Sequence, residues 1–308
     1  MKQPVFVAIA TAGRRDVLTE TLTLLSRQTE RPEVVFISPA TPADLDEAAA
    51  TALGMNVVVV PSRKGSCAQR NAILDRLLDR QDGVVLFMDD DFFAAPTYVA
   101  EVSRLFSSEP GIVLASGLVH ADGAVGPGLA VPEAHRILAE RFDAAALPAI
   151  EPIYNGYGCN MSVRLSAVNA LHVRFDEDLP LYGWLEDVDF SRRLAAKGRL
   201  VRSHRLQGVH LGSKRGRSPG RRLGYSQIAN PWHLIRKRTM SPRRALVQIG
   251  RNISANLWKS LSPEPWVDHR GRLRGNLVAL SDLVRGRLKP SNVLNFEPDE
   301  TVLAKKNI

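Results

Sequence analysis

The run Val84-Val85-Leu86-Phe87-Met88-Asp89-Asp90-Asp91 decides how this chain is read. Five apolar residues in succession, led by β-branched ones, form a strand buried on both faces rather than one that alternates between core and solvent. Three acids follow without a spacer. Ligands of open α/β sheets bind outside the carboxyl ends of strands, so these acids stand where a site is expected. Adjacent carboxylates repel one another, and the cluster is costly without a cation. A hard divalent ion, Mn2+ or Mg2+, held by one or two of them plus substrate phosphates relieves that cost and can serve as Lewis acid for a departing diphosphate. The competing description is a solvated acidic turn.

Working outward, Val5 to Ala10, Val34 to Ser38 and Val57 to Val60 read as further buried strands separated by segments of helical period. The first helix carries Leu18, Leu22 and Leu25 on one face. The second is expected to begin at Thr41-Pro42-Ala43-Asp44 and the third at Ser66-Cys67-Ala68-Gln69, each with a hydroxyl at the cap and an acid or amide three residues on. Strands alternating with helices make an α/β, mainly parallel, Rossmann-like sheet flanked by helices. The alternation fades after residue 120, where Gly123, Gly126, Pro127, Gly128 and Pro132 suggest a long loop or an irregular second half. Glu186 to Lys197 returns to helical period and ends at Gly198, a candidate left-handed cap.

The chain has 308 residues, 44% hydrophobic and 24% charged, a composition that excludes a disordered or disulfide-stapled protein. Cys67 and Cys159 are too few for a thiolate metal cluster or a secreted framework and fit a reducing, cytoplasmic compartment. No apolar run approaches the roughly 18 residues that span a bilayer. The opening residues have too short an apolar core for a leader, and Arg14-Arg15 follows at once, so a first strand is expected there. The net charge of +9 hides an asymmetry. Residues 1–196 hold 17 basic and 26 acidic residues, net −9, and residues 197–308 hold 24 and 6, net +18. Such a basic segment attracts phosphates, whether of a diphosphate substrate, an anionic membrane or a nucleic acid. Two amphipathic stretches lie within it. Leu246, Ile249, Ile253 and Leu257 share one helical face, and Leu277, Leu280, Val284 and Leu288 repeat the spacing, with Arg244, Arg251, Arg274, Arg285 and Arg287 beside them. Their apolar partner is either a membrane interface or the main domain. The expected division is a catalytic domain over 1–230 and a basic helical extension over 231–308.

Further residues could carry chemistry. Trp184-Leu185-Glu186-Asp187-Val188-Asp189 opens a helix whose dipole favours ionised carboxylates, and such a carboxylate can act as general base; acids in a first turn are also common as plain dipole partners. His210 ends a short apolar stretch, and imidazole with the Asp91 carboxylate would suit a borderline metal such as manganese. Lys214, Arg215 and Arg217 could close over phosphates, or form an exposed charged loop. Gly65 permits close backbone approach ahead of the helix that carries Arg70 and Asn71.

In this order the segments resemble the family 2 glycosyltransferases with the nucleotide-diphospho-sugar transferase fold called GT-A. The matching segments are the first strand with Thr11 and Arg14, Gly65 with Arg70-Asn71, the triple aspartate, Asn155 to Ser162, Glu186 to Asp189, and His210, across roughly residues 4–230. The resemblance implies that Thr11, Arg14 and Arg70 border the nucleotide, with Gly65, Asn71 and Asp90 on the same donor side. Asp89 would lie near the ribose, and Asp91 with His210 would bind a divalent cation. Asn160 would touch the donor sugar, Trp184 would shape the acceptor pocket, and Asp187 would be the base with Glu186 as its orienting neighbour or substitute. The implied reaction is inverting transfer from a nucleotide-diphospho-sugar, expected to be a UDP-sugar, to a saccharide or polyprenyl-diphosphate-linked acceptor. Bacterial polysaccharide synthesis at the cytoplasmic membrane face, without nucleic acid as partner, is the implied setting.

Two departures qualify the resemblance. Ser38-Pro39-Ala40-Thr41 stands where many members carry an Asp-Asp pair that reads the base, and the Gln-x-x-Arg-Trp motif of processive synthases is missing, which favours single additions. The rival readings are a sugar-1-phosphate nucleotidyltransferase, for which Ala12-Gly13-Arg14-Arg15 is only a faint echo of the activating loop, and a non-enzymatic phosphate- or membrane-binding module. Nucleic-acid binding is disfavoured because the acids of the N-terminal half would repel the same backbone.

Overall fold

The computed structural model describes residues 2–140, 149–214 and 219–296. The four apolar runs form strands β1 (Val5–Thr11), β2 (Val34–Pro39), β3 (Val57–Val59) and β4 (Val84–Asp89), with crossovers through α1 (Arg15–Ser26), α2 (Glu47–Ala52) and α3 (Ser66–Asp75). All the pairings among them are parallel, as expected of strands linked by helices. Then follow β5 (Phe92–Ala94), α4 (Tyr98–Ser108), β6 (Ile112–Asp122), α5 (Val131–Ala139), β7 (Ile150–Pro152), β8 (Asn160–Arg164), α6 (Leu165–Ala170), α7 (Glu186–Leu194) and β9 (Arg199–His210). They extend the same sheet in the order β3-β2-β1-β4-β8-β6-β9-β5, with β7 also on β9.

The sheet is mixed rather than purely parallel. β8 runs antiparallel to both β4 and β6, and β5 and β7 run antiparallel to β9, while β6 and β9 are parallel. The parallel pattern stops after β4, before the βα alternation fades in the sequence.

Three local expectations are corrected. Thr41 to Asp44 closes a capping box around a short 3-10 turn (Pro42–Asp44), but α2 starts only at Glu47, where the Asp46 carboxylate accepts from the Ala49 amide at 3.0 Å. Ser66 is the first helical residue of α3 and not its cap; Gly65 occupies the cap at φ 135°, a conformation that disfavours a side chain. Gln69, the expected capping amide, donates instead to the Thr11 and Ser38 carbonyls and ties α3 to the ends of β1 and β2. Gly198 is not a left-handed cap: it is absent from the positive-φ set, and a Cβ there would lie 2.6 Å from the Gly111 carbonyl oxygen.

The chain forms two compact units, one of Met1–Phe175 with Phe190–Gly216 and one of Asp176–Asp189 with Arg217–Ile308. In the first, Val7, Ile9, Leu86, Met88 and Val35 fill the interior on one side of the sheet against Leu18, Leu22 and Leu25 of α1. Phe87 meets Phe175 and Phe190 edge-on, and those two rings stack at 4.2 Å.

The second unit is helical, with α8 (Gly220–Lys237), α9 (Pro242–Leu261) and α10 (His269–Val284). α8 runs through residue 231, Pro231 included. Its core gathers Tyr225, Ile228, Ala229, Ala279, Leu288 and Val293, against which Ile249, Ile253 and Leu280 pack. The two apolar stripes read from the sequence are therefore divided: these members face protein, whereas Leu246, Leu257, Leu277 and Val284 are exposed. No helix among the described residues is long and apolar enough to cross a membrane.

Within this unit Asp176, Asp178 and His233 come close enough to suggest a metal site. Its cation is already supplied, because Lys237 Nζ lies 2.6 Å from Asp176 and 2.7 Å from the fully buried Asp189. Burial works to raise the Asp176 carboxyl, but hydrogen bonds from His233 and Lys237 outweigh it and hold the group well below the usual carboxylate range. A depressed carboxylate contributes stability above its unfolded value, about pH 4, and that contribution is lost as the pH falls through the folded one. Lys237→Met is therefore expected to cost roughly 3 kcal/mol at neutral pH, since breaking a buried pair strands the remaining charge. It should also flatten the acid limb of stability. Denaturant titrations at pH 7 and pH 4 that agree between variant and unaltered chain would refute the bridging role.

Candidate active site

β4 ends at Asp89, and Asp90 and Asp91 form the turn that leads into β5. Asp90 Oδ2 accepts from Thr11 Oγ1 at 2.7 Å, and Thr21 Oγ1 donates to the Asp90 main-chain carbonyl. Asp89 and Asp91 meet His210, whose Nε2 lies 3.3 Å from Asp91 Oδ1 and 3.9 Å from Asp89 Oδ2. One ligand atom from each of these three residues falls within 4.8 Å of the others.

Sheet register makes that meeting possible. His210, the last residue of β9, pairs with Phe92 on β5, the strand immediately after the acids, and the Leu211 amide donates to the Asp91 carbonyl at 2.9 Å. Beyond it Gly212 adopts φ 61° and packs so closely on Gly123 that a Cβ would lie 2.0 Å from a Gly123 backbone carbon. This close approach lets the Ser213 amide donate to Asp91 Oδ2 at 2.8 Å, and Lys214 Nζ donates to the Gly123 and Ala124 carbonyls. Arg215 and Arg217 lie outside the described residues.

Two guanidinium groups balance the acids. Arg14 lies 2.9 Å from Asp91 Oδ2 and 3.2 Å from Asp90 Oδ1. Arg70 donates to Asp89 Oδ1 at 3.0 Å and to the Gly158 carbonyl, its head over the Phe175 ring. Desolvation dominates at Asp90 and pushes its carboxyl up to about 7, against the Arg14 charge and with the Asp91 charge. At Asp91 burial also works upward, but the His210 hydrogen bond and Arg14 outweigh it and hold the group well below the carboxylate range. The negative charge of the neighbouring pair thus sits on Asp91, the acid nearer to Arg14. Burial lowers the His210 imidazolium, yet bonds to Asp122 and Asp91 overcome it and lift the group to about 10. Without a metal, the buried carboxylates hold a proton on the imidazole. Two carboxylates and an imidazole in one cluster form a donor set that fits Mn2+ or another borderline divalent ion.

The other expected residues fall in two groups. Thr11 is buried and donates to Asp90, which itself has no solvent-exposed surface. Asn71 is committed to scaffolding: its amide donates to the Phe175 carbonyl and its oxygen accepts from the Phe175 amide, because α3 must be tied to the chain that returns beneath it. Asn160 is fully buried; its oxygen accepts from the Gly117 amide at 3.3 Å, and its Nδ2 has no partner among the described residues. Trp184, Glu186 and Asp187 belong to the second unit. There Asn230 Nδ2 donates to the Trp184 carbonyl, the Glu186 amide donates to the Gly183 carbonyl, and Asp187 Oδ1 accepts from the Val188 amide, so the pair opens α7 as expected.

Two residues escaped the sequence reading. Asp122, at the end of β6, accepts from His210 Nδ1 at 2.8 Å, and Tyr157 O–H donates to its other oxygen at 2.8 Å. The Asp122-Gly123 turn was a usable signal, though nothing in it pointed to His210.

No curated protein sequence matches the chain. Among solved structures it is similar to the mannosyltransferase PcManGT from Pyrobaculum calidifontis in complex with GDP-Man and Mn2+, at 13% identity over 92% of this chain and 87% of that one, with a TM-score of 0.56. S. aureus TarS (16% identity, 74% of this chain, TM-score 0.47) and GalNAc-T7 with UDP, GalNAc and Mn2+ (12%, 68%, 0.49) are more distant in shape, and the chain spans 40% and 43% of their lengths. The likeness to PcManGT supports the GT-A fold. The family model of glycosyl transferase family 2 matches residues 6–159, from the first strand through the acids to the residue before β8. With half of its sequence inside that match, the chain belongs to glycosyl transferase family 2.

Proposed function

We propose that the chain is a metal-dependent, inverting glycosyltransferase that takes a sugar from a nucleotide-diphospho-sugar, a UDP-sugar in the first instance. The acceptor in this reading is the hydroxyl of a saccharide or of a polyprenyl-diphosphate-linked glycan. The observation that carries it is the convergence of Asp89, Asp91 and His210 beside Arg14 and Arg70 at the end of β4. Asp91 and His210 would hold the cation, with Asp89 towards the ribose. When bound, such an ion supplies charge neutralisation for the pyrophosphoryl leaving group.

The chain's own residues do the rest. Asp187, in the first turn of α7 where the helix dipole favours the anion, takes the proton from the acceptor hydroxyl as its oxygen attacks C1 of the sugar. The bond to the nucleoside diphosphate breaks on the opposite side, which inverts the anomeric centre. Glu186 is the orienting neighbour and Trp184 a wall of the acceptor pocket. GDP-Man in PcManGT is the specific reason to keep GDP-sugars as a second donor class, since the usual base-reading acids are absent after β2.

A membrane-surface role for the basic extension belongs to the same reading. The outward face of α9 presents Val247, Trp258 and Leu261 beside Arg243, Arg244 and Arg251, with Trp258 77% exposed. Such a face suits an anionic bilayer, where rings and aliphatic chains enter the interface and each guanidinium contributes on the order of 1 kcal/mol. A second copy is the poorer occupant, because an isologous contact would set arginine against arginine.

Three outcomes are expected. In calorimetric titrations, Mn2+ should tighten UDP or GDP binding, and Asp91→Asn should remove the metal effect while the variant melts as a folded protein; nucleotide binding indifferent to metal counts against the reading. Asp187→Asn should lower kcat by about 10²- to 10⁴-fold, the usual contribution of a general base, with nucleotide and Mn2+ affinity intact. In co-sedimentation, the chain should prefer phosphatidylglycerol vesicles to phosphatidylcholine ones and lose that preference in Trp258→Glu. Equal recovery on both vesicles, or a concentration-dependent dimer dispersed by the same substitution, would remove the membrane assignment.

A further inference from the structure

We propose that Asp122 is a positioning residue for the cation site: its carboxylate fixes the ring of His210, and Tyr157 fixes that carboxylate. The inference rests on reading Asp91 and His210, beside Asp89, as a divalent-cation site and extends it to residues outside the ligand set.

The geometry begins in the sheet. β6 and β9 are parallel neighbours, and their register shifts between Val119 and Ala121, after which Ala121 pairs with Val209 and Asp122 with His210. A one-residue slip in a strand exchanges the faces of every side chain, so without this irregularity Ala121 would stand opposite the imidazole. Its methyl group could not accept a proton from the ring. With the irregularity, Asp122 Oδ1 lies 2.8 Å from His210 Nδ1.

Asp122 is itself held. Its Oδ2 accepts from the Tyr157 hydroxyl at 2.8 Å, its Oδ1 also accepts from the Ala124 amide at 2.9 Å, and the Tyr157 ring meets the imidazole edge-on. Both carboxylate oxygens therefore have donors that fix the plane of the group.

The consequence is chemical. An imidazole whose Nδ1–H is donated to a carboxylate has its Nε2 lone pair free for a metal, and the carboxylate makes that nitrogen a stronger ligand. His210 Nε2 is the atom turned to Asp91 and Asp89. The ring thus has one nitrogen for orientation and one for the ion, and the roles cannot be exchanged without breaking the Asp122 contact.

The test measures the metal rather than turnover. Mn2+ uptake by the full chain is followed from the electron paramagnetic resonance signal of the free ion, and ligation by imidazole is read from the nitrogen modulation of the bound ion. Loss of such an outer partner typically weakens metal binding by about 10- to 100-fold. Asp122→Ala should fall towards the upper end of that range and show diminished nitrogen modulation at saturating Mn2+. Asp122→Asn keeps an acceptor for Nδ1–H but loses the charge, so it should weaken binding by about tenfold and retain the modulation. It is also the isosteric variant that carries the test if Asp122→Ala does not fold. Affinity within about twofold of the unaltered chain in a folded Asp122→Asn, or unchanged modulation in a folded Asp122→Ala, overturns the inference and leaves the cation site standing. An unaltered chain that takes up no Mn2+, or binds it without nitrogen modulation, overturns the cation site and the inference together.

Discussion

Burying carboxylates at the end of β4 is the constraint that the first unit is arranged around. Asp90 and Asp91 have no exposed surface, and an uncompensated ionised acid in such a place would either cost several kcal/mol or take up a proton. The two acids resolve this differently. Asp91 keeps its charge because Arg14 from the start of the chain and His210 with the Ser213 amide from the 210–214 segment converge on it. Asp90, behind it, gives up much of its tendency to ionise and becomes a hydrogen-bonded strut for Thr11. A single acid-rich turn therefore contains both a charged group that meets His210 and a largely structural one held by Thr11.

That arrangement also explains why the ends of β1, β4, β6 and β9 are tied together so closely. Gln69 links α3 to β1 and β2 by accepting no role as a cap, and Arg70 on the same helix reaches Asp89. The 210–214 segment passes near Asp91 only because Gly212 and Gly123 have no side chains to hold them apart. The irregular register between β6 and β9 adds Asp122 to the same corner.

The second unit solves a separate charge problem. Lys237 lies between Asp176 and Asp189, so an internal ammonium does there what an exogenous ion would have to do in the acid cluster of the first unit. Two groups of acids with a histidine, similar on paper, are thereby distinguished: one already contains its ammonium, and among the described residues the other has the imidazole and guanidinium groups as counter-charges. The outward residues of α9 differ again, since they combine exposed apolar side chains with exposed arginines.

The strands β1 to β4, their parallel pairing, the acids at the end of β4 and the helical start at Glu186 could all be read from residues 5 to 91 and 184 to 189, because each depends on local period and on apolar runs that permit few foldings; burial on both faces did not hold for β3, which is half-buried at the sheet edge. Long-range register was not readable. Nothing local in Asp122 or His210 tells that two strands nearly ninety residues apart will pair these positions, since register is set by the whole buried face and by an irregularity that leaves no mark in composition. The apolar stripes of the basic segment were visible by period, but period cannot say which members will find a protein neighbour: Ile249 and Ile253 did, Leu246 and Leu257 did not. Likewise Gln69 fits a capping pattern and Asn71 a donor-binding one, and both were taken up by backbone carbonyls and amides that only the folded sheet brings near. What the sequence determined by itself was where strands end and which charges stand there; what the tertiary structure decided was which of those charges meet, because electrostatic and hydrogen-bonding partners are chosen by distance in space and not along the chain.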